Sequence, residues 1–147
     1  MEIRDDLREA LQLIQKGQFE KWLNGFLLSD NKNKGLFEGL KKQKRYWIEP
    51  FEMELHMLRR TCGPEKEMEY LEYKEIWDKI TKKMKIDLNK GWKPAPLIVT
   101  FKSGIFTIAD GNHRAEVLRS SGVMQYWTCI WTDNKKDYKR AMEILKK

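Results

Sequence analysis

Residues 96–133 read PLIVTFKSGIFTIADGNHRAEVLRSSGVMQYWTCIWTD, and the fold is decided in this stretch. Leu97-Ile98-Val99-Thr100-Phe101 is dense in β-branched and aromatic residues, which suit a pleated, half-buried surface. Lys102-Ser103-Gly104 is a turn, and Ile105-Phe106-Thr107-Ile108-Ala109 repeats the strand composition. Asp110-Gly111-Asn112 ends that second strand. His113 to Ser121 then reads as a short helix closed by Gly122. Met124 to Thr132 (MQYWTCIWT) is a third strand. The expectation is that all three strands share one sheet, with Gly111 to Arg114 at a helix N-terminus.

On either side of this stretch the pattern is helical. Leu7, Leu11 and Ile14 recur at helical spacing before Gly17, and Phe19, Trp22, Leu23, Phe26 and Leu27 form a second apolar face. Pro50 can open a helix that turns Phe51, Leu55 and Leu58 inward and ends before Cys62-Gly63-Pro64. A longer helix then places Tyr70, Tyr73, Ile76, Trp77, Ile80 and Met84 on one stripe, a spacing that predicts core. Gly91 and Pro94-Ala95-Pro96 break the helical regime. Downstream, Asp133-Asn134 can cap a final helix whose apolar face is Tyr138, Ala141, Met142 and Leu145. The expected architecture is one α+β domain over residues 1–147, with 1–90 a mainly helical extension and 91–147 the sheet core.

The length of 147 residues suits a single domain, and 41% hydrophobic residues suffice for a core. No run approaches the roughly 20 apolar residues of a membrane span, and the start lacks the basic and apolar segments of a signal peptide. Cys62 and Cys129 lie far apart with no C-x-x-C pair, so neither a disulfide framework nor a zinc site is suggested. Reduced cysteines and a cytoplasmic location are expected. The net charge is +7, of which residues 1–90 carry +2 and residues 91–147 carry +5. That balance is compatible with nucleotides, nucleic acid or other anions. Residues 31–45 hold six basic groups against Glu38, which reads either as a phosphate-contacting patch or as a solvated loop or short helix. Gly35 and Gly39 weaken any helix there by about 1 kcal/mol each relative to Ala.

The chemistry concentrates at Asp110-Gly111-Asn112-His113-Arg114. Glycine at a strand-to-helix turn lets the backbone approach a ligand closely. The first amides of the following helix lack intrahelical acceptors and carry partial positive charge, so they can bind an anion. His113 and Arg114 add donors, and a guanidinium presents a planar fork suited to phosphate oxygens. At a helix start, Arg114 is expected to be exposed toward a ligand, so that Arg114→Ala removes binding and spares the fold. Asp110 can hold a divalent cation, accept a proton, or cap the helix. Other readings stay open: Asp110 or Asn112 as a cap, His113 as a hydrogen-bonded structural residue, Arg114 as the partner of Glu116.

The order strand, turn, strand, Gly-x-His-Arg, helix, strand over residues 96–133 resembles the ParB/sulfiredoxin-like superfamily. Sulfiredoxin carries Gly-Cys-His-Arg at this loop, and free-serine kinases of the same fold carry Asp-Gly-His-His-Arg. Gly111, His113 and Arg114 match both patterns, and Asp110 matches the kinase one. The resemblance implies a loop and helix start (Gly111, Asn112, His113, Arg114) that hold nucleotide phosphates. It further implies Asp110 and His113 as candidate catalytic groups and Asp110 as the ligand of Mg²⁺ accompanying ATP, ADP or CTP. Phosphotransfer or nucleotide hydrolysis is then the candidate chemistry, with a nucleic-acid-binding or regulatory interaction module as the alternative. Asn112 stands where sulfiredoxin has its cysteine, and an amide cannot do a thiolate's work, so sulfinic acid reduction is not implied. The Gly-Glu-Arg-Arg box of partition proteins is absent, as is a helix-turn-helix after Asp133. Residues 47–73 resemble an extension of small bacterial relatives. There Glu65 or Glu69 can supply a base or metal ligand facing Asp110, or simply acidify a helix start.

Overall fold

The computed structural model describes residues 4–28 and 33–146. The strands read from the 96–133 stretch form as β5 (Leu97–Lys102), β6 (Ile105–Asp110) and β7 (Gln125–Thr132). β5 and β6 are antiparallel across a two-residue turn in which Ser103 (φ 54°) and Gly104 (φ 78°) are both left-handed. That turn geometry matches the right-handed twist of paired strands. β7 lies parallel to β5, and the crossover includes the helix α5 (Asn112–Ser120). α5 ends in a left-handed Gly122 (φ 88°), with Val123 N–H donating to the Leu118 carbonyl (3.0 Å) and Gly122 N–H to that of Arg119 (3.1 Å). The three strands therefore share one sheet, with Gly111 to Arg114 at a helix start, as expected.

The sheet also draws on the half of the chain that was expected to be helical. β1 (Tyr46–Glu54) pairs antiparallel with β7, and β2 (Leu58–Arg59) pairs parallel with β6, giving the order β1-β7-β5-β6-β2. The expected helix after Pro50 is therefore corrected to an edge strand. The pairing register shifts between Ile48 and Phe51, so Pro50 sits at an irregularity of that edge, a place where a missing N–H is tolerated. A separate two-stranded parallel ladder joins β3 (Cys62–Gly63) to β4 (Tyr70–Leu71). The division into a helical extension and a sheet core does not survive this pairing, because β1 and β2 belong to the core sheet.

Period-2 alternation sorts the sheet's side chains onto two faces. Leu97, Val99, Phe101, Phe106, Ile108 and Ile130 pack with Ala115 and Leu118 of α5 and Ala141 of α6 (Lys135–Leu145). Ile98, Cys129 and Trp131 pack on the opposite face, with Ala10 of α1 (Asp6–Gln15), Trp22, Leu23 and Leu27 of α2 (Phe19–Leu28), and Phe37 of α3 (Lys34–Leu40). Asp5, Asn33 and Asn134 cap α1, α3 and α6 through their side chains. Both faces are thus already covered, and α4 (Lys74–Asn89) packs on α5 instead, burying Trp77. The stripe expected in the core is corrected accordingly: Tyr70, Tyr73 and Ile76 are exposed, and the helix starts only after Tyr73. Among the described residues no helix is long and apolar enough to cross a membrane.

Candidate functional site

β6 delivers the chain to α5 through Gly111, whose φ of +110° lies in the left-handed region. A Cβ there would fall 2.8 Å from the Leu97 side chain and 2.9 Å from the Arg114 guanidinium, so the position is closed to other residues on two counts. Gly111 is the N-cap residue of α5 and has no side chain to offer its first turn. The helix dipole and the first-turn amides are therefore available to an anion. Gly111, Asn112 and His113 line a cavity of about 710 Å³, within the range of small-molecule sites.

Asp110 and Arg114 flank this turn but face inward. Arg114 is 6% exposed; its Nη1 donates to Asp110 Oδ2 (3.3 Å), its Nη2 to the Pro96 carbonyl (3.0 Å), and its guanidinium lies 5.2 Å from the Phe26 ring centroid. The expected exposure of Arg114 toward a ligand is corrected: one helical turn on from Asp110, the side chain folds back onto that carboxylate. Asp110 also accepts from Asn33 Nδ2 (2.7 Å), and Asn33 Oδ1 in turn caps α3 by accepting from Leu36 N–H (3.2 Å). One buried charge pair thus ties α3, β6 and α5 together.

Asn112 is buried as well. Its Oδ1 accepts from the Thr61 N–H (2.7 Å) and the Cys62 N–H (3.2 Å), and its Nδ2 donates to Thr61 Oγ1 (3.2 Å). Thr61 Oγ1 donates to the Ile108 carbonyl (2.9 Å), so residues 61–62 are clamped over the turn. His113 is half-buried, with Nε2 2.8 Å from Glu72 Oε1 and its ring 4.5 Å from that of Trp77. Cys62 Sγ lies 4.0 Å from the other Glu72 oxygen. Burial first, and then the Glu72 carboxylate, push the Cys62 thiol above its ordinary range, which keeps it protonated and a weak nucleophile.

The cavity is walled by one face of α3 (Gly35, Leu36, Gly39, Leu40), floored by Thr100, Thr107 and Trp131, and bounded opposite by Thr61, Cys62, Glu69 and Tyr70. Glu69 shares the cavity with Asp110, whereas Glu65 is ion-paired to Arg60. The basic segment is partly committed elsewhere. Arg45 is ion-paired to Asp133 and donates to the Gly39 carbonyl (2.7 Å), Lys41 sits over the Phe37 ring (3.9 Å), and Lys44 over Tyr46 (5.2 Å). Asn31 and Lys32 lie outside the described residues. Among the described residues no group of three His, Cys, Asp or Glu side chains is placed to hold a metal.

Sequence reasoning found the turn and missed its surroundings. Asn33, Glu72, Trp77 and Trp131 come from three other segments, and nothing local marks them. The two glycines of α3, four residues apart, were the available signal, since that spacing puts both on one helix face.

No protein-family model matches the chain, and no curated protein matches it. Among solved structures it is similar to a Pnob8-like ParB-N domain, with 14% identity and a TM-score of 0.42 over 69% of this chain. The match takes in 36% of that chain, so this protein spans about a third of its length. It is also similar to sulfiredoxin from Arabidopsis thaliana, with 17% identity and a TM-score of 0.43 over 63% of this chain and 96% of the other. The α+β class expected from the sequence agrees with the mixed five-stranded sheet and the helices packed on it.

Proposed function

We propose that the chain binds a nucleotide, with its phosphates at the first turn of α5. The observation that carries this reading is a helix N-terminus of nine helical residues, entered through a left-handed glycine that offers its first turn no side-chain cap, beside a cavity of ligand size. Resemblance of the Gly111-x-His113-Arg114 loop to nucleotide-binding loops supports it independently. The amides of Asn112 and His113 meet the phosphate oxygens. His113, held by Glu72 and Trp77, presents its ring at the cavity wall. Arg114 acts as a positioning residue, because it fixes Asp110 and the backbone of the turn.

The reading is one of binding. Phosphotransfer or hydrolysis asks Asp110 to take a proton or hold a cation, yet its oxygens already accept N–H groups from Asn33 and Arg114. The same two bonds leave Asp110 poorly placed to hold a Mg²⁺ ion, and among the described residues no group of three His, Cys, Asp or Glu side chains stands ready to complete such a site. Titration calorimetry with ATP, ADP, CTP and tripolyphosphate, each with and without Mg²⁺, tests the proposal. Binding in the micromolar range is expected, and His113→Ala should weaken it several-fold, as the loss of one hydrogen bond worth about 1 kcal/mol does. Absence of binding at millimolar concentrations overturns the reading.

A further inference from the structure

The cavity is long, and two independent rulers measure it. α3 runs along one wall: Asn33 at its head bonds Asp110, while Arg45 bonds the Gly39 and Leu40 carbonyls at its foot and lies over the ring of Trp131 (5.9 Å). Seven helical residues cover about 10 Å at 1.5 Å each. In the floor, Trp131 pairs with Thr100 and Thr100 with Thr107, so these three form one row across β7, β5 and β6. From Thr107 to Asp110 along β6 is again about 10 Å at 3.3 Å per residue. The row therefore lies some 10 Å from the turn of α5, at the opposite end of the cavity.

Two features of that far end are otherwise unexplained. Trp131 is 7% exposed, yet its indole N–H has no acceptor among the described residues, although buried donors are nearly always paired. In the lining of the same cavity, Gly39 leaves open space, where an added Cβ would meet nothing within 4 Å. A helix-weakening glycine there leaves a slot the size of a side chain.

We infer that this far end seats a planar, acceptor-bearing ring, the nucleobase of the bound nucleotide. The indole N–H of Trp131 donates to a ring acceptor, the Thr100 and Thr107 hydroxyls meet its polar edge, and the bare backbone at Gly39 admits it. The inference rests on the nucleotide reading above and deepens it: the α5 turn holds phosphate and is blind to the base, whereas the Trp131 row reads the base.

The test compares nucleoside triphosphates with tripolyphosphate on the ¹⁵N-labelled protein. Loss of one indole signal in Trp131→Phe identifies the Trp131 N–H. That signal is expected to move on titration with ATP or CTP and to stay in place with tripolyphosphate, and the nucleotide should bind at least tenfold more tightly. Gly39→Leu fills the slot in a helix that leucine favours, so the fold survives, as a melting curve will confirm. It should remove the nucleotide's advantage and leave tripolyphosphate binding within twofold of the parent. If nucleotide and tripolyphosphate bind equally and the indole does not move, the inference fails while the anion site stands. Unchanged nucleotide affinity in Gly39→Leu also overturns it. If neither ligand binds, both this inference and the nucleotide reading fall.

Discussion

A guanidinium buried as deeply as that of Arg114 is held by its partners, and here they are the Asp110 carboxylate, the Pro96 carbonyl and the face of Phe26. Removing one member of a buried pair strands the other charge, at a typical cost of about 3–5 kcal/mol. Arg114→Ala should therefore lower unfolding free energy by about that amount, read as the urea midpoint at constant m-value. Arg114→Lys should recover only part of it, because an ammonium cannot span Asp110 and Pro96 with one planar fork. A variant that melts like the parent would show that the pair does not hold the turn. Gly111→Ala belongs to the same test. Its φ of +110° and the 2.8 Å approach to Leu97 both oppose a Cβ, so a loss of roughly 1–3 kcal/mol is expected from backbone strain alone.

α3 carries two glycines within seven residues, and its stability comes from Phe37 packing and the Asn33 cap rather than from propensity. At Gly35, as at Gly39, an added Cβ meets nothing within 4 Å. Gly35→Ala should raise stability by up to about 1 kcal/mol, a shift of a few degrees in melting temperature for a chain of this size. A lower melting temperature would mean that the bare backbone at Gly35 has a structural partner. What was legible in the sequence follows the same logic of elements. β5, β6, β7 and α5 were readable because local composition, turn glycines and periodicity agree there. β1 was not, because Pro50 reads as a helix start and its bulge is stabilised only by pairing with β7, some eighty residues on. Tyr70 and Tyr73 imitate a helical stripe across a boundary that the β3–β4 ladder imposes. The turn of the candidate site was visible in Asp110 to Arg114. The inward rotation of Arg114 and Asn112 was not, because their partners Asn33, Thr61 and Cys62 are joined to them only by the tertiary fold.

Across the whole molecule, acids that burial holds protonated set its behaviour in alkali, Cys129 and Tyr126 foremost. Cys129 lies at 0% exposure between the sheet and α2; burial pushes its thiol from 9.0 up to about 12, and the positive charge of Arg114 draws it only partly back. Tyr126 donates its hydroxyl to the Pro94 carbonyl at 2.5 Å, and burial holds it well above the usual phenol range. In the unfolded chain the thiol ionises near 9, so between pH 9 and 12 the native state keeps a proton that the unfolded state has lost. Stability must then fall as pH rises, by about 1.4 kcal/mol per pH unit for each such group, with little effect below pH 9. The phenol joins from about pH 10, its ordinary value. Urea midpoints measured from pH 8 to 11 should be flat at first and then decline steeply. Cys129→Ala, which leaves a small cavity at every pH, should lower the whole curve while removing about one proton's worth of its alkaline slope. Tyr126→Phe should do the same from about pH 10 upward. An alkaline slope unchanged in both variants would mean that these buried acids are not what couples the fold to pH.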